Sequence, residues 1–326
     1  MSDHPKVVSS FIFREDSLQE LREAAGGEII SITNKEDFLP ALREAEVLCG
    51  MRVPENWREV APDLRWVQFP GAGVDSLRKT TLLQADSGVL VTTASGIHIT
   101  SISEYVFGSM LMFNRSWPQM VHLQDRHIWP RSGAEYHLKE KELAGRTLGI
   151  VGMGNIGRRI AQVAHAFGMR VLATRLSART GEQDVDAEQV FGFEQLHDLL
   201  GQSDYVVVAV PLTDKTEKLI GEAELHAMKP DAYLVNIARG RVIDEVALIR
   251  ALREGWIGGA GLDVAAQEPL PAESELYDTP NVILTPHISG ASERYAERLA
   301  ELFADNLRRY RSGQPLRNLY DPKREY

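Results

Sequence analysis

Three polar residues stand just past short apolar runs in the second half of this chain. Arg239 follows Ile237-Ala238, Glu268 comes shortly after Asp263-Val264, and His287 follows Thr285-Pro286. An arginine fork can bind a carboxylate bidentately. A histidine gives or takes a proton near neutral pH. A carboxylate beside it fixes the ring tautomer and stabilises the imidazolium. If the apolar runs are parallel strands, all three residues fall beyond strand carboxyl ends, where open α/β sheets bind ligands.

An earlier stretch supplies a second ingredient. Leu148-Gly149-Ile150-Val151 reads as a buried strand, and Gly152-Met153-Gly154-Asn155-Ile156-Gly157 follows at once. Ile160, Val163, Ala164 and Phe167 then recur on one helix face, Gly168 ends the helix, and 169–175 reads as a second strand. Strand, glycine turn, helix and strand form the context in which G-x-G-x-x-G marks a dinucleotide site. Gly152 allows the tight turn, Gly154 lets backbone approach a pyrophosphate, and Gly157 lets helix pack on strand. The amides at the helix start, Asn155 and Ile156 among them, are expected to hold the phosphates. A dinucleotide beside a carboxylate anchor and a proton donor suits a 2-keto acid accepting hydride and proton.

The end of the second strand bears on which dinucleotide. Enzymes using NAD place a carboxylate there, about 20 residues into the unit, for the ribose 2′-hydroxyl. Here Thr174 and Arg175 occupy the place, Ser177 and Arg179 follow, and no carboxylate appears before Glu182. A guanidinium attracts a 2′-phosphate that a carboxylate would repel. NADP(H) is therefore the expected cofactor, with NAD(H) as the alternative if these are ordinary surface arginines.

The elements that must position these residues are legible as alternation. Strands are predicted around 6–13, 28–33, 46–50, 64–69 and 88–93, with helices between, including 16–25 and one opened by a capping box at Thr33–Glu36. Further strands are predicted at 205–210, 232–237, 259–264 and 282–285, and helices at 101–114, 194–200, 244–254 and 292–312. Such alternation predicts α/β architecture with parallel sheets. The turn Gly71-Ala72-Gly73 after one strand is either a cradle for a small carboxylate or a plain strand-to-helix turn. Met51 and Arg52 follow another strand, where Arg52 either meets a second acidic group of a substrate or is solvated. The segment with Trp117, His122, Arg126, His127 and Trp129 suits a subunit contact or packing on its own domain.

Composition narrows the class. The chain has 326 residues, enough for two domains, and a net charge of −10, which argues against nucleic acid or an anionic membrane as partner. The single cysteine, Cys49, excludes an intrachain disulfide and a cysteine-rich metal site, and no metal is expected. No signal peptide or membrane span is read, so a cytoplasmic protein is expected.

At this point the motifs resemble a known family. Asn236-Ile237-Ala238-Arg239-Gly240 with Val242-Ile243-Asp244, Gly261-Leu262-Asp263-Val264 with Glu268-Pro269, and Asn281 through His287 resemble signature blocks of the D-isomer-specific 2-hydroxyacid dehydrogenases. Pro211-Leu212-Thr213 with Thr216 also matches, and the resemblance covers nearly the whole chain. It implies a flavodoxin-like substrate domain, 1–100 plus 291–326, and a Rossmann domain, 101–290, usually in a homodimer. It implies Arg239 as carboxylate anchor, His287 as general acid/base and Glu268 as its partner. It further implies the Ala72 and Gly73 amides on the substrate carboxylate. Pro211, Thr216, Ile237, Ala238, Arg239, Asp263 and His287 would lie along the cofactor, with Asp263 near the nicotinamide amide, and the product would be the D hydroxy acid.

Departures refine the expectation. Arg175 replaces the family's usual aspartate. Glu268 stands where formate dehydrogenases carry glutamine, and the chain ends too early for the regulatory domain of many phosphoglycerate dehydrogenases. Glyoxylate or hydroxypyruvate reduction is the favoured activity. The alternatives are a dinucleotide-sensing co-repressor-like scaffold and a phosphite dehydrogenase-like enzyme.

Overall fold

The computed structural model describes residues 4–175 and 182–325. The chain divides into two compact units, Met1–His98 with Ser292–Tyr326, and Ile99–Ala291.

The first unit opens with β1 (Val7–Ser9), α1 (Glu15–Ala25), β2 (Ile29–Ser31), α2 (Lys35–Leu42), β3 (Val47–Cys49), α3 (Trp57–Val60), β4 (Trp66–Gln68) and β5 (Leu90–Thr92). The strands are all parallel, in the order β2-β1-β3-β4-β5. That is the flavodoxin-like order. The strands are shorter than predicted because only their central residues are laddered. The predicted capping box at Thr33 does not form. The N-cap of α2 is Asn34, and its amide donates to the Asp37 carboxylate at 3.3 Å instead of accepting a backbone N–H.

The second unit begins with α4 (Ile99–Asn114) and α5 (Trp117–Asp125). It continues through β6 (Thr147–Val151), α6 (Asn155–Ala166), β7 (Arg170–Thr174), β8 (Glu182–Asp184), β9 (Ala187–Phe191), α7 (Leu196–Gln202) and β10 (Tyr205–Val208). It closes with α8 (Glu222–Ala227), β11 (Tyr233–Asn236), α9 (Glu245–Glu254), β12 (Gly259–Leu262) and β13 (Val282–Leu284). The sheet order is β13-β12-β11-β10-β6-β7-β9-β8, parallel throughout except for β8, which runs antiparallel to β9. The order reverses at β6, the Rossmann switch point where the glycine turn sits. The β8–β9 hairpin was not foreseen, because its alternation is short and interrupted by charge.

The chain then returns to the first unit as α10 (Tyr295–Arg311). Its apolar face is buried through Leu299, Phe303, Leu307 and Tyr310, with Phe303 and Tyr310 packed on the buried ring of Trp66. A buried polar chain adds direction. Trp66 Nε1 donates to Thr92, Thr92 to Gln68 Oε1, and Asn306 of α10 donates to the same Gln68 oxygen. Such satisfied internal bonds specify one docking register for the returning helix. Among the described residues no helix is long and apolar enough to cross a membrane.

Candidate active site

Three connections after strands of the second unit carry the predicted triad. Arg239 lies just past β11 and is partly buried, its Nη1 donating to the Ala238 carbonyl at 2.7 Å. Asn236 shapes this turn, which sequence reasoning had noted only as part of a motif. Its carboxamide accepts from Ala238 N–H and donates to the Arg239 carbonyl, both at 3.0 Å. Gly240 follows because a Cβ there would lie 1.9 Å from the Ala265 carbonyl carbon. That close approach brings the Arg239 turn against the loop that carries Glu268.

Glu268 and His287 meet directly, with Nδ1 of the ring 2.8 Å from the carboxylate Oε2. The other Glu268 oxygen accepts from Ala265 N–H at 3.2 Å. An Nδ1–H donated to Glu268 leaves Nε2 as the ring atom turned away from it. Both side chains remain reachable, His287 at 45% and Glu268 at 37% exposure.

His287 adopts a left-handed backbone, φ 55°, which a non-glycine residue holds only when neighbours enforce it. Asp263 does so. Its carbonyl accepts His287 N–H at 2.7 Å, and its carboxylate accepts from Ile288 and Ser289 N–H and lies 2.7 Å from the Thr285 hydroxyl. Thr285 is in turn 2.9 Å from the Tyr105 hydroxyl on α4. Burial pushes Tyr105 up to about 12, so it stays protonated. Asp263 itself is only 1% exposed. The carboxylate expected near the nicotinamide amide thus also holds the histidine loop.

The glycine turn has the geometry its spacing implied. Gly152 has φ +109°, and a Cβ there would lie 2.8 Å from the Ala209 carbonyl oxygen. A Cβ on Gly157 would lie 2.4 Å from the Gly152 oxygen. Gly154 differs, for among the described residues nothing stands within 4 Å of its would-be Cβ. Internal packing therefore does not require a glycine there, whereas close approach of a pyrophosphate does. Asn155 and Ile156 open α6 behind its N-cap, Gly154, which has no side chain to take their amides. These features fit a dinucleotide.

Other residues expected along the cofactor also hold the turns around them together. Thr216 is buried, with its hydroxyl donating to the Pro211 carbonyl at 2.6 Å and accepting from Thr213 N–H at 2.8 Å. Thr174 is fully buried, and its carbonyl accepts Met153 N–H from the glycine turn. Ile237 and Ala238 are buried side chains. Ser177 and Arg179 lie outside the described residues.

Arg175 gains acidic neighbours from the fold. Its sequence neighbourhood shows no carboxylate before Glu182, yet the β8–β9 hairpin folds Glu182 onto it. Arg175 Nη2 donates to the Glu182 carboxylate, and Nη1 is 3.9 Å from Asp184. Asp184 is held bidentately by Arg158 of α6 at 2.7 and 2.8 Å, which keeps its carboxyl below the usual range.

In the first unit, Met51 and Arg52 are exposed. Gly71 to Gly73 form a bend in which the Gly71 carbonyl accepts from Ala94 N–H at 2.9 Å. The bend leads only into a three-residue 3₁₀ turn, Asp75–Leu77, so the helix predicted after it, and the dipole of that helix, are missing.

Residues 107–289 match the family model described as D-isomer specific 2-hydroxyacid dehydrogenase, NAD binding domain. The chain belongs to the D-isomer-specific 2-hydroxyacid dehydrogenases. It is thus an NAD(P)-dependent oxidoreductase acting on the CH–OH group of 2-hydroxy acids. The dehydrogenase is 36% identical over 319 residues to a glyoxylate reductase of Thermococcus gammatolerans, covering 95% of this chain and 94% of that one. In structure it resembles a D-isomer-specific 2-hydroxyacid dehydrogenase family protein of Aeromonas salmonicida, with 32% identity, TM-score 0.82 and coverage of 98% and 99%. It also resembles an NADPH-dependent glyoxylate/hydroxypyruvate reductase of Sinorhizobium meliloti in complex with NADP and sulfate, with 26% identity, TM-score 0.82 and coverage of 99% and 100%.

Proposed function

We propose that this dehydrogenase reduces a short 2-keto acid, glyoxylate or hydroxypyruvate, in preference with NADPH. The observation that carries the reading is the Glu268–His287 pair at 2.8 Å. His287 in its protonated form donates from Nε2 to the carbonyl oxygen, and in the reverse direction takes that proton back. Glu268 orients the ring and stabilises its charge. Arg239 holds the substrate carboxylate through its fork and so orients the reacting carbon. The amides of Gly71, Ala72 and Gly73 and the side chains of Met51 and Arg52 complete the proposed substrate set. Gly152, Gly154, Asn155, Ile156 and Gly157 would hold the pyrophosphate, and Arg175 the 2′-phosphate. When bound, the nicotinamide supplies the hydride.

The substrate class rests on the name of the archaeal relative and the cofactor choice on Arg175, with the NADP complex of the Sinorhizobium protein in support. Exposed Trp117, Met120, Val121 and Trp129, the last at 93%, support a homodimer. Sedimentation at twice the chain mass is the expected result, and a monomer would refute it.

A panel of short 2-keto acids with NADPH and NADH tests the activity. Glyoxylate or hydroxypyruvate should be reduced fastest, and no cofactor-dependent reduction of any of them overturns the reading. For the cofactor, Arg175→Ala should lower kcat/KM with NADPH by about one to two powers of ten and leave NADH nearly unchanged. A wild-type preference for NADH, or equal loss with both, overturns the NADP assignment.

A further inference from the structure

Two guanidinium groups and three carboxylates meet at the β8–β9 hairpin. Arg158 holds Asp184 bidentately and reaches Asp186 at 3.1 Å. Arg175 holds Glu182 and stands 3.9 Å from Asp184. The carboxylates are unequal. Asp184 is nearly buried, at 7% exposure, and tied at both oxygens, whereas a third of Glu182 is exposed. Asp184 therefore belongs to Arg158, and Glu182 is the acceptor that can yield. Among the described residues the cluster holds three carboxylates and two guanidinium groups. A phosphate dianion brought to Arg175 competes with the Glu182 carboxylate for the Nη2 side of the guanidinium.

Resting on the reading that Arg175 binds the 2′-phosphate, we propose that Glu182 is a built-in stand-in for that phosphate. It holds the Arg175 guanidinium when no phosphate is present, and its displacement sets how strongly the enzyme discriminates NADP from NAD. A cofactor without the 2′-phosphate leaves the Arg175–Glu182 pair intact, so its binding is indifferent to Glu182. One with the phosphate must exchange an internal carboxylate for its own oxygens. Cofactor choice is thus a competition between two acceptors for one guanidinium, in which Glu182 tempers what Arg175 supplies.

The test uses fragments of the cofactor and no turnover. Calorimetric titrations compare adenosine 2′,5′-bisphosphate with 5′-AMP on wild type, Arg175→Ala, Glu182→Gln and the double variant. Glu182→Gln should tighten the bisphosphate by roughly two- to fivefold, the range of a partly exposed ion pair, and leave 5′-AMP unchanged. The double variant should show no such gain over Arg175→Ala, because the competition runs through the arginine. If Arg175→Ala does not weaken the bisphosphate, the NADP reading itself fails. If Arg175→Ala weakens it but Glu182→Gln brings no gain, or the double variant gains as much as the single one, the stand-in role alone is overturned. An unchanged 5′-AMP affinity also reports that each variant has folded around an intact glycine turn.

Discussion

The carbonyl of Asp263 accepts the N–H of His287 at 2.7 Å, while its carboxylate takes the next two amides, Ile288 and Ser289, at 2.9 Å each. One buried residue therefore holds a histidine in a left-handed backbone that its type alone would not adopt. Asp263→Asn turns one acceptor oxygen into a donor that must face an N–H or lose Thr285. The expected cost is about 1–3 kcal/mol, the penalty of an unsatisfied buried group. Melting should fall by roughly 2–4 °C per kcal/mol. Turnover should fall with it as His287 loses its position. Full stability with full turnover in Asp263→Asn would show that the loop is held by something else.

Removing the acid/base group isolates its share of the chemistry. His287→Ala is expected to lower kcat at least ~100-fold, the low end for losing general acid/base help. Cofactor affinity should stay constant. Glu268→Gln should fall between wild type and His287→Ala, because glutamine can still accept from Nδ1–H but carries no charge to stabilise the imidazolium. Steady-state kinetics with a fluorescence titration of cofactor checks both, and near-normal turnover in His287→Ala removes the residue from the mechanism.

Arg239 contributes a planar fork as well as a charge. Arg239→Ala should reduce kcat/KM for the keto acid by about one to two powers of ten, the span of a charge-assisted bond of about 1.5–3 kcal/mol. Arg239→Lys should recover little of this, since an ammonium cannot bind a carboxylate bidentately. Recovery to wild-type kcat/KM in the lysine variant would reduce the role to simple charge.

Cys49 ends β3 and is fully buried. Burial pushes its thiol up to about 12, so little thiolate exists at pH 8. Iodoacetamide at that pH should leave the folded protein unlabelled by mass spectrometry and label it once guanidinium chloride unfolds it. Stoichiometric labelling of the folded, active enzyme would contradict the burial.

The sequence by itself determined what local spacing encodes. Gly152, Gly154 and Gly157 after β6 specify a turn that only glycine fits at two of its positions, and the third stays open to a ligand. Alternating apolar runs placed Arg239, Glu268 and His287 beyond strand ends, and family signatures gave them roles. Tertiary structure decided what those residues touch. Glu268 and His287 are 19 positions apart, and their 2.8 Å contact exists because β12 and β13 are neighbours in register. The same holds for the internal bonds of other expected site residues. Asp263 and Thr216 are polar at plausible cofactor positions, and only packing shows their oxygens turned inward to brace loops. Glu182 is seven residues from Arg175 along the chain, with no helix between them to give that spacing meaning among the described residues, and the β8–β9 hairpin brings one against the other. A side chain's type sets which partners it can accept, but burial and strand register set which partner it finds.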